Sequence, residues 1–347
     1  VDLILKVTEK CNFRCTFCSS TNIAPDDDRG ITLDLDYVWQ FLKRFPETNT
    51  IILNGGDPLM LDPQYYWDII NHCDEHDYPA RLSFTSNLWP FYKNPAKWAP
   101  LFRNERVGVT TSFNYGDTRR ITATRVFTEK DFWDVSDAML EHVGYRPDFI
   151  SVINDDNEDS ALDNVELAVK MNVECKLNYA MASGVQGKPY QLSKMYATYV
   201  EIAKRGWTTW EFNTKQMVER LIGGATCCPQ NRSCDSGIRA LNPGGDYYSC
   251  GSLADDKIYP IKFYDEVTMN GPVQTPLSDD LMLDAMHSGC YSCPNFNICN
   301  GCRKTIKDHK QHGIVEAHCT LMKTLTNDIE SLQGLIYPEL IRIELVD

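Results

Sequence analysis

No stretch of the sequence is apolar for the length that a membrane-spanning helix needs, and its first residues carry neither the basic segment nor the cleavage site of a secretory signal. A cytoplasmic protein with no membrane association is therefore the expectation. Positive charge is scarce: 34 Lys and Arg face 48 Asp and Glu, for a net charge of −14. That balance argues against a long nucleic-acid footprint, which relies on a basic surface to neutralise phosphates. The one basic stretch, Arg303 to His312, reads as a solvated face. Cysteine is the exception to this sparseness, with 14 residues. Without a secretory signal they do not read as a disulfide framework, because the cytosol keeps thiols reduced. They read as metal ligands.

At 347 residues the chain is long enough for a substantial core and, by length, two domains. Leu3 to Val7 is an apolar run of strand length. After it, Thr32 can cap a helix in which Leu35, Val38, Phe41, Leu42 and Phe45 recur at helical spacing, ended by Pro46. Thr50 to Asn54 is a second strand, and Tyr66, Ile69, Ile70 and Cys73 mark a helix with Cys73 as a small core residue. Further strands follow at Arg81 to Ser86, Val107 to Ser112, Phe149 to Asn154 and Glu174 to Asn178. Helical patterns lie at Phe132 to Val143 and Leu162 to Met171. This alternation is that of an α/β protein built from parallel βα units. Along the last strand Val173, Cys175 and Leu177 must pack under helices, so Glu174, Lys176 and Asn178 face the other way. Thr110 shares a face with Ser112, and Ser83 with Thr85 and Asn87.

Directly after the first strand, Cys11, Cys15 and Cys18 form a CxxxCxxC loop. Three thiolates so spaced can hold three irons of a four-iron cluster and leave the fourth open, or contribute to a zinc site. Zinc calls for a fourth protein ligand, and no Cys or His occurs between Cys18 and His72. The loop, CNFRCTFC, closely resembles the cluster loop of the radical S-adenosylmethionine (SAM) enzymes, including the aromatic Phe17 before the last cysteine. The resemblance implies a partial (β/α)6 barrel over residues 1–215. It also implies a SAM whose methionine chelates the open iron, and a reduced cluster that cleaves SAM to a 5′-deoxyadenosyl radical, which abstracts hydrogen from the substrate. Function is then expected at the carboxyl ends of the strands.

The same resemblance suggests cofactor contacts. Gly55 and Gly56 end the second strand where the family has GGEP and binds the methionine amine; here Asp57 replaces Glu. Ser86 and Asn87 stand where the family contacts the ribose. Ser112 and Asn114 stand where relatives often have Ser-x-Asp near the methionine carboxylate, with Asn114 departing from the acid. An arginine downstream usually completes carboxylate binding; Arg119, Arg120 and Arg125 are the candidates, and Arg125 is favoured.

From Cys227 onward cysteines crowd together. Cys290, Cys293, Cys299 and Cys302 give CxxC followed by CxxC, a strong metal signal. With Cys228, Cys234, Cys250 and Cys319, this stretch resembles the SPASM extension of radical SAM enzymes, departing only in having two residues between Cys299 and Cys302. The resemblance implies a SPASM domain over residues 216–325 with two auxiliary four-iron clusters, for three 4Fe-4S clusters in all. Carried over, its ligation gives Cys228, Cys234, Cys250 and Cys302 to one cluster, and Cys290, Cys293, Cys299 and Cys319 to the other. Cys73, Cys175 and Cys227 are left. Cys227 adjoins Cys228 and could exchange roles with it; otherwise it reads as a bystander or as a thiol able to donate hydrogen to a substrate radical. The tail, residues 326–347, continues a helical pattern from Thr320 to Leu335 and then alternates like a strand at Ile341, Ile343 and Leu345.

Members of this family commonly modify peptides or proteins, so a peptide substrate leads, served by a flavodoxin- or ferredoxin-type reductant. The alternatives are a small-molecule epimerase, dehydratase or isomerase, or a non-enzymatic zinc or electron-carrier module. With the first strand beginning at Leu3, recognition of a peptide leader is expected from another chain. Gly251 stands where sulfatase-maturing relatives place an acid, which disfavours that reaction.

Overall fold

In β1 (Asp2–Thr8) the side chains of Leu3, Leu5 and Val7 are fully buried beneath helices, while Ile4, Lys6 and Thr8 turn to the opposite face. This structure is a computed structural model, and it describes residues 1–20, 23–224, 228, 237–264, 269 and 287–334. The same alternation repeats in β2 (Thr50–Gly55), β3 (Arg81–Thr85), β4 (Val107–Ser112), β5 (Phe149–Ile153) and β6 (Cys175–Tyr179). Each pairs in parallel with its predecessor, so the six expected strands are all present. The crossovers are α1 (Leu35–Arg44), α2 (Pro63–Glu75), α3 (Trp89–Lys93) with α4 (Pro95–Phe102), α5 (Glu129–Val143) and α6 (Ala161–Met171). They cover one face, leaving the other as a lumen.

Two local expectations change. The cap of α1 is Asp34, whose carboxylate accepts the Asp36 N–H at 3.0 Å; Thr32 instead bridges to Thr8 and ties the loop back to β1. The sheet also extends beyond six strands. β7 (Ile238–Leu241) pairs in parallel with the other edge of β1, and β8 (Tyr247–Tyr248) pairs antiparallel with β7, giving the order β6-β5-β4-β3-β2-β1-β7-β8. The cysteine-rich region thus joins the barrel sheet directly.

After β6 come α7 (Leu192–Lys204) and α8 (Phe212–Leu221). The later helices are α9 (Gly251–Asp256), α10 (Phe296–Cys299), α11 (Arg303–Gln311), α12 (Val315–Thr324) and α13 (Thr326–Ser331). The last two match the helical pattern expected from Thr320, while the strand expected at Ile341 to Leu345 lies outside the described residues. No side chain caps α7. Its first N–H groups, which need partners, donate instead to imidazoles: Leu192 to His309 Nε2 and Ser193 to His318 Nδ1, both at 3.1 Å.

The basic stretch is not the solvated face it resembles. Within α11, Lys304 and His309 are buried, and Lys304 Nζ lies 2.7 Å from both Asp256 and Asp308. Burial opposes the Lys304 charge, but the two carboxylates hold its pKa above the ordinary value. Among the described residues, no helix is long and apolar enough to cross a membrane.

Candidate active site

The cysteine loop leaves the carboxyl end of β1 and is clamped on several sides. Phe13 buries its ring against Phe127 and Trp89, with centroids at 5.2 and 6.4 Å. The backbone N–H groups of Arg14 and Thr16 donate to Arg120 and Thr118 carbonyls at 2.7 and 2.9 Å, and Cys18 O accepts from Val185 N at 2.8 Å. Gly56 N donates to Thr8 O and Asp57 N to Lys10 O, at 2.8 and 2.9 Å. That contact explains the glycine pair. A Cβ on Gly55, at φ +122°, would stand 2.3 Å from Thr8 O, and one on Gly56 would stand 2.1 Å from Lys10 O. The glycines bring β2's end against the loop, where the Thr8 and Lys10 carbonyls accept the N–H groups of Gly56 and Asp57.

Cys11, Cys15 and Cys18 are each partly buried. Burial pushes the Cys11 thiol well above its usual pKa and Cys18 up to about 11, and the three groups feel one another's charge. Such thiols ionise when a cation takes the proton's place. The donor set, three soft sulfurs on one loop, suits iron or another thiophilic metal.

Asp57 is buried and its carboxylate is fully engaged. It accepts from Leu59 N at 2.9 Å, Ser86 Oγ at 2.9 Å and Asn87 N at 2.9 Å. Burial raises its pKa to about 6 despite these donors. Asn87 then exchanges amide hydrogen bonds with Asn12, its Nδ2 donating to Asn12 Oδ1 at 2.8 Å. The carboxylate therefore locks the ends of β2 and β3 to the cysteine loop. It is not free to meet a ligand, and Asn12, which no sequence pattern singles out, completes the lock.

The candidate arginines differ in their surroundings. Arg125 is 53% exposed and pairs with Asp131 at 2.8 Å. Arg119 is buried: its Nε donates to Asn114 Oδ1 at 3.1 Å and its Nη1 to Ser112 Oγ at 2.8 Å. Its guanidinium lies 5.0 Å from the centre of the Phe17 ring and within electrostatic reach of all three thiols. Nη2 has no hydrogen-bond partner among the described residues. Ser112, Asn114, Phe17 and Arg119 thus form one unit beside Cys11, Cys15 and Cys18.

The family model of the radical SAM superfamily matches residues 5–181, just over half of the chain. The chain belongs to the radical SAM superfamily. Among solved structures, anSMEcpe, an anaerobic sulfatase-maturing enzyme, with bound AdoMet superposes with TM-score 0.69 at 15% identity, covering 99% of this chain and 98% of that one. SuiB of Streptococcus suis bound to precursor peptide SuiA superposes with TM-score 0.51 at 14% identity, over 86% of this chain and 70% of that one. These likenesses establish the fold. By sequence, GTP 3′,8-cyclase of Haemophilus influenzae is 28% identical over 111 residues, 31% of each chain. The putative L-lysine 2,3-aminomutase of Aquifex aeolicus is 33% identical over 58 residues, 17% of this chain and 16% of that protein. The matched stretches span less than a third of either curated relative.

This radical SAM enzyme carries further thiols. Cys290, Cys293, Cys299 and Cys319 line one cavity with Phe296, Ile306, His318 and Met322. Burial lifts Cys299 to about 12 and Cys319 to about 11, each also raised by neighbouring thiols. Among the described residues no three His, Cys, Asp or Glu side chains meet as a single-ion site; the four thiols line one cavity. Cys250 is half-buried and its pKa is raised by burial and the nearby Cys302 thiol, and Tyr179 lies within electrostatic reach of both Cys302 and Cys228. Cys227 and Cys234 lie outside the described residues. Cys73 and Cys175 are core residues, each 1% exposed.

The lumen-facing side chains Ser83, Thr85, Thr110, Ser112, Lys176 and Asn178 are partly exposed, as the alternation implied. One charged pair was not foreseen. Lys6 of β1 bonds Asp255 of α9, which also takes a hydrogen bond from Ser19 and lies near Cys18. Burial raises the Asp255 pKa against the pull of Lys6.

Proposed function

We propose that this radical SAM enzyme modifies a peptide or protein substrate held in the barrel lumen. The observation that carries the reading is the near-complete superposition on anSMEcpe, which has also been solved with AdoMet and the Cp18Cys peptide; SuiB, with its precursor peptide, adds to it. Cys11, Cys15 and Cys18 would hold the SAM-binding 4Fe-4S cluster. When bound, that cluster and SAM supply a 5′-deoxyadenosyl radical on one-electron reduction, the electron coming from a flavodoxin- or ferredoxin-type protein. Arg119 would take the methionine carboxylate through Nη2, a geometry suited to a guanidinium, while Ser112 and Asn114 hold it in place. Phe17 would wall the site under Arg119. Gly55 and Gly56 would leave backbone carbonyls open to the methionine amine, and Ser86 and Asn87, fixed by Asp57, would stand at the ribose.

Two auxiliary four-iron clusters complete the proposal, one on Cys290, Cys293, Cys299 and Cys319, the other on Cys228, Cys234, Cys250 and Cys302. The lumen's polar face and the Lys6–Asp255 pair would orient the substrate. Cys227 would be a bystander.

A second reading, a small-molecule substrate, has the sequence match to GTP 3′,8-cyclase in its favour. The test is label transfer. Reconstituted enzyme is incubated without oxygen with SAM, reductant and deuterated candidate peptides, and 5′-deoxyadenosine is analysed for deuterium. Label arriving from a peptide supports the proposal; label arriving only from nucleotides, sugars or free amino acids overturns it.

A further inference from the structure

His318 lies on α12 directly before Cys319, and its ring is buried to 1% exposure. Its Nδ1 accepts the Ser193 N–H at 3.1 Å, and its Nε2 lies 3.5 Å from Cys299 Sγ. An imidazole nitrogen that accepts a backbone N–H carries no hydrogen itself, so in the neutral ring the hydrogen is on Nε2. That hydrogen points at the sulfur. The Ser193 donor belongs to the first turn of α7, where an N–H needs an outside partner, so the helix end fixes the tautomer. The surroundings are Phe296, Ile306 and Met322, where low polarity strengthens a hydrogen bond. His309 stands edge-on to the ring with centroids 5.0 Å apart.

We propose that His318 is a positioning residue that donates Nε2–H to the Cys299 sulfur and raises the reduction potential of the cluster held by Cys290, Cys293, Cys299 and Cys319. Hydrogen bonds to cluster sulfurs are among the determinants of potential, because a donor favours the more negative, reduced state. The inference rests on the assignment of these four thiols to a cluster.

The test uses the full chain with Cys11, Cys15 and Cys18 changed to Ala, so that only C-terminal clusters are read by EPR-monitored redox titration. In this background His318→Phe should lower the reduced-to-oxidised ratio of one cluster about tenfold at fixed potential, about 59 mV for one electron. His318→Gln, which restores an N–H donor, should recover most of it, with iron content unchanged throughout. An unchanged titration in the Phe variant at full iron overturns the role of His318 and leaves the cluster assignment standing. Should the Phe variant lose iron, His318 is read in protein that also carries His287→Gln, because His287 Nδ1 lies 3.8 Å from Cys319 Sγ: labelled with ¹⁵N-histidine, this protein should show a weak ¹⁵N coupling to a reduced cluster in pulsed EPR. Its absence overturns the proposal. Lack of any four-iron signal in the background protein removes the cluster assignment and, with it, the inference.

Discussion

Exchange of the two arginines distinguishes the site seen in the structure from the one favoured by sequence. Arg119→Ala removes a buried guanidinium that bonds Ser112 Oγ and Asn114 Oδ1 at 2.8 and 3.1 Å. It also removes the donor edge proposed to take the SAM carboxylate. A charge-assisted hydrogen bond contributes about 1.5–3 kcal/mol, which corresponds to about 10- to 100-fold weaker SAM binding. Arg119→Lys keeps the charge but cannot span Ser112 and Asn114 with a planar fork, so an intermediate loss is expected. Arg125→Ala breaks an ion pair whose arginine is 53% exposed; such pairs contribute about 0–1 kcal/mol to stability, and SAM binding should not change. The assay is equilibrium SAM binding to anaerobically reconstituted, unreduced protein, with iron measured in every variant. Parent-like binding in Arg119→Ala, or a loss in Arg125→Ala as large as that in Arg119→Ala, would refute the assignment.

Gly56→Ala puts a methyl 2.1 Å from Lys10 O, so the loop must shift, and about four irons per chain should be lost; full iron content would contradict the packing argument. Asp57→Ala leaves three donors without their carboxylate, a loss of about 3–9 kcal/mol at about 1–3 each, measurable by urea unfolding. The Asp57 pKa is raised from 3.8 to about 6, so between about pH 4 and 6 the folded protein retains a proton that the unfolded chain has released. Stability from this group therefore falls as pH rises through that window and levels off above it. Asp57→Asn should lack that slope, and parallel profiles for parent and variant would contradict it. Lys304→Met leaves Asp256 and Asp308 without the cation 2.7 Å from each, costing about 3–5 kcal/mol as for other broken buried pairs; adding Asp308→Asn should recover part of that, and no recovery would argue against the pairing.

The barrel was legible because period-two alternation and helical spacing are local. Val107–Ser112 and the buried row of Leu3, Leu5 and Val7 follow from side-chain direction alone. The CxxxCxxC loop was legible for a similar reason, since three ligands fall within eight residues. Arg119 could not be separated from Arg125 because both lie on one hairpin. Phe127 N bonds Arg119 O and Ile121 N bonds Arg125 O, so Arg119 sits at the base against the cysteines and Arg125 near the exposed tip. Lys304 misled because its partner Asp256 is 48 residues away in sequence and only the fold joins them. β7 was missed because four residues, Ile238–Leu241, carry too little pattern to declare an edge. Asp57 took its place in the motif, but the use of its carboxylate depends on Ser86 and Asn87 arriving from another strand.

In the proposed function the N-terminal thiols carry radical generation separately from the C-terminal thiols. This separation is tested most directly by changing Cys11, Cys15 and Cys18 together to Ala, then measuring iron and reductive formation of 5′-deoxyadenosine without oxygen. Iron should fall from about twelve to about eight per chain, as three four-iron clusters become two, and 5′-deoxyadenosine formation should be abolished. Continued 5′-deoxyadenosine formation by the triple variant would contradict the separation.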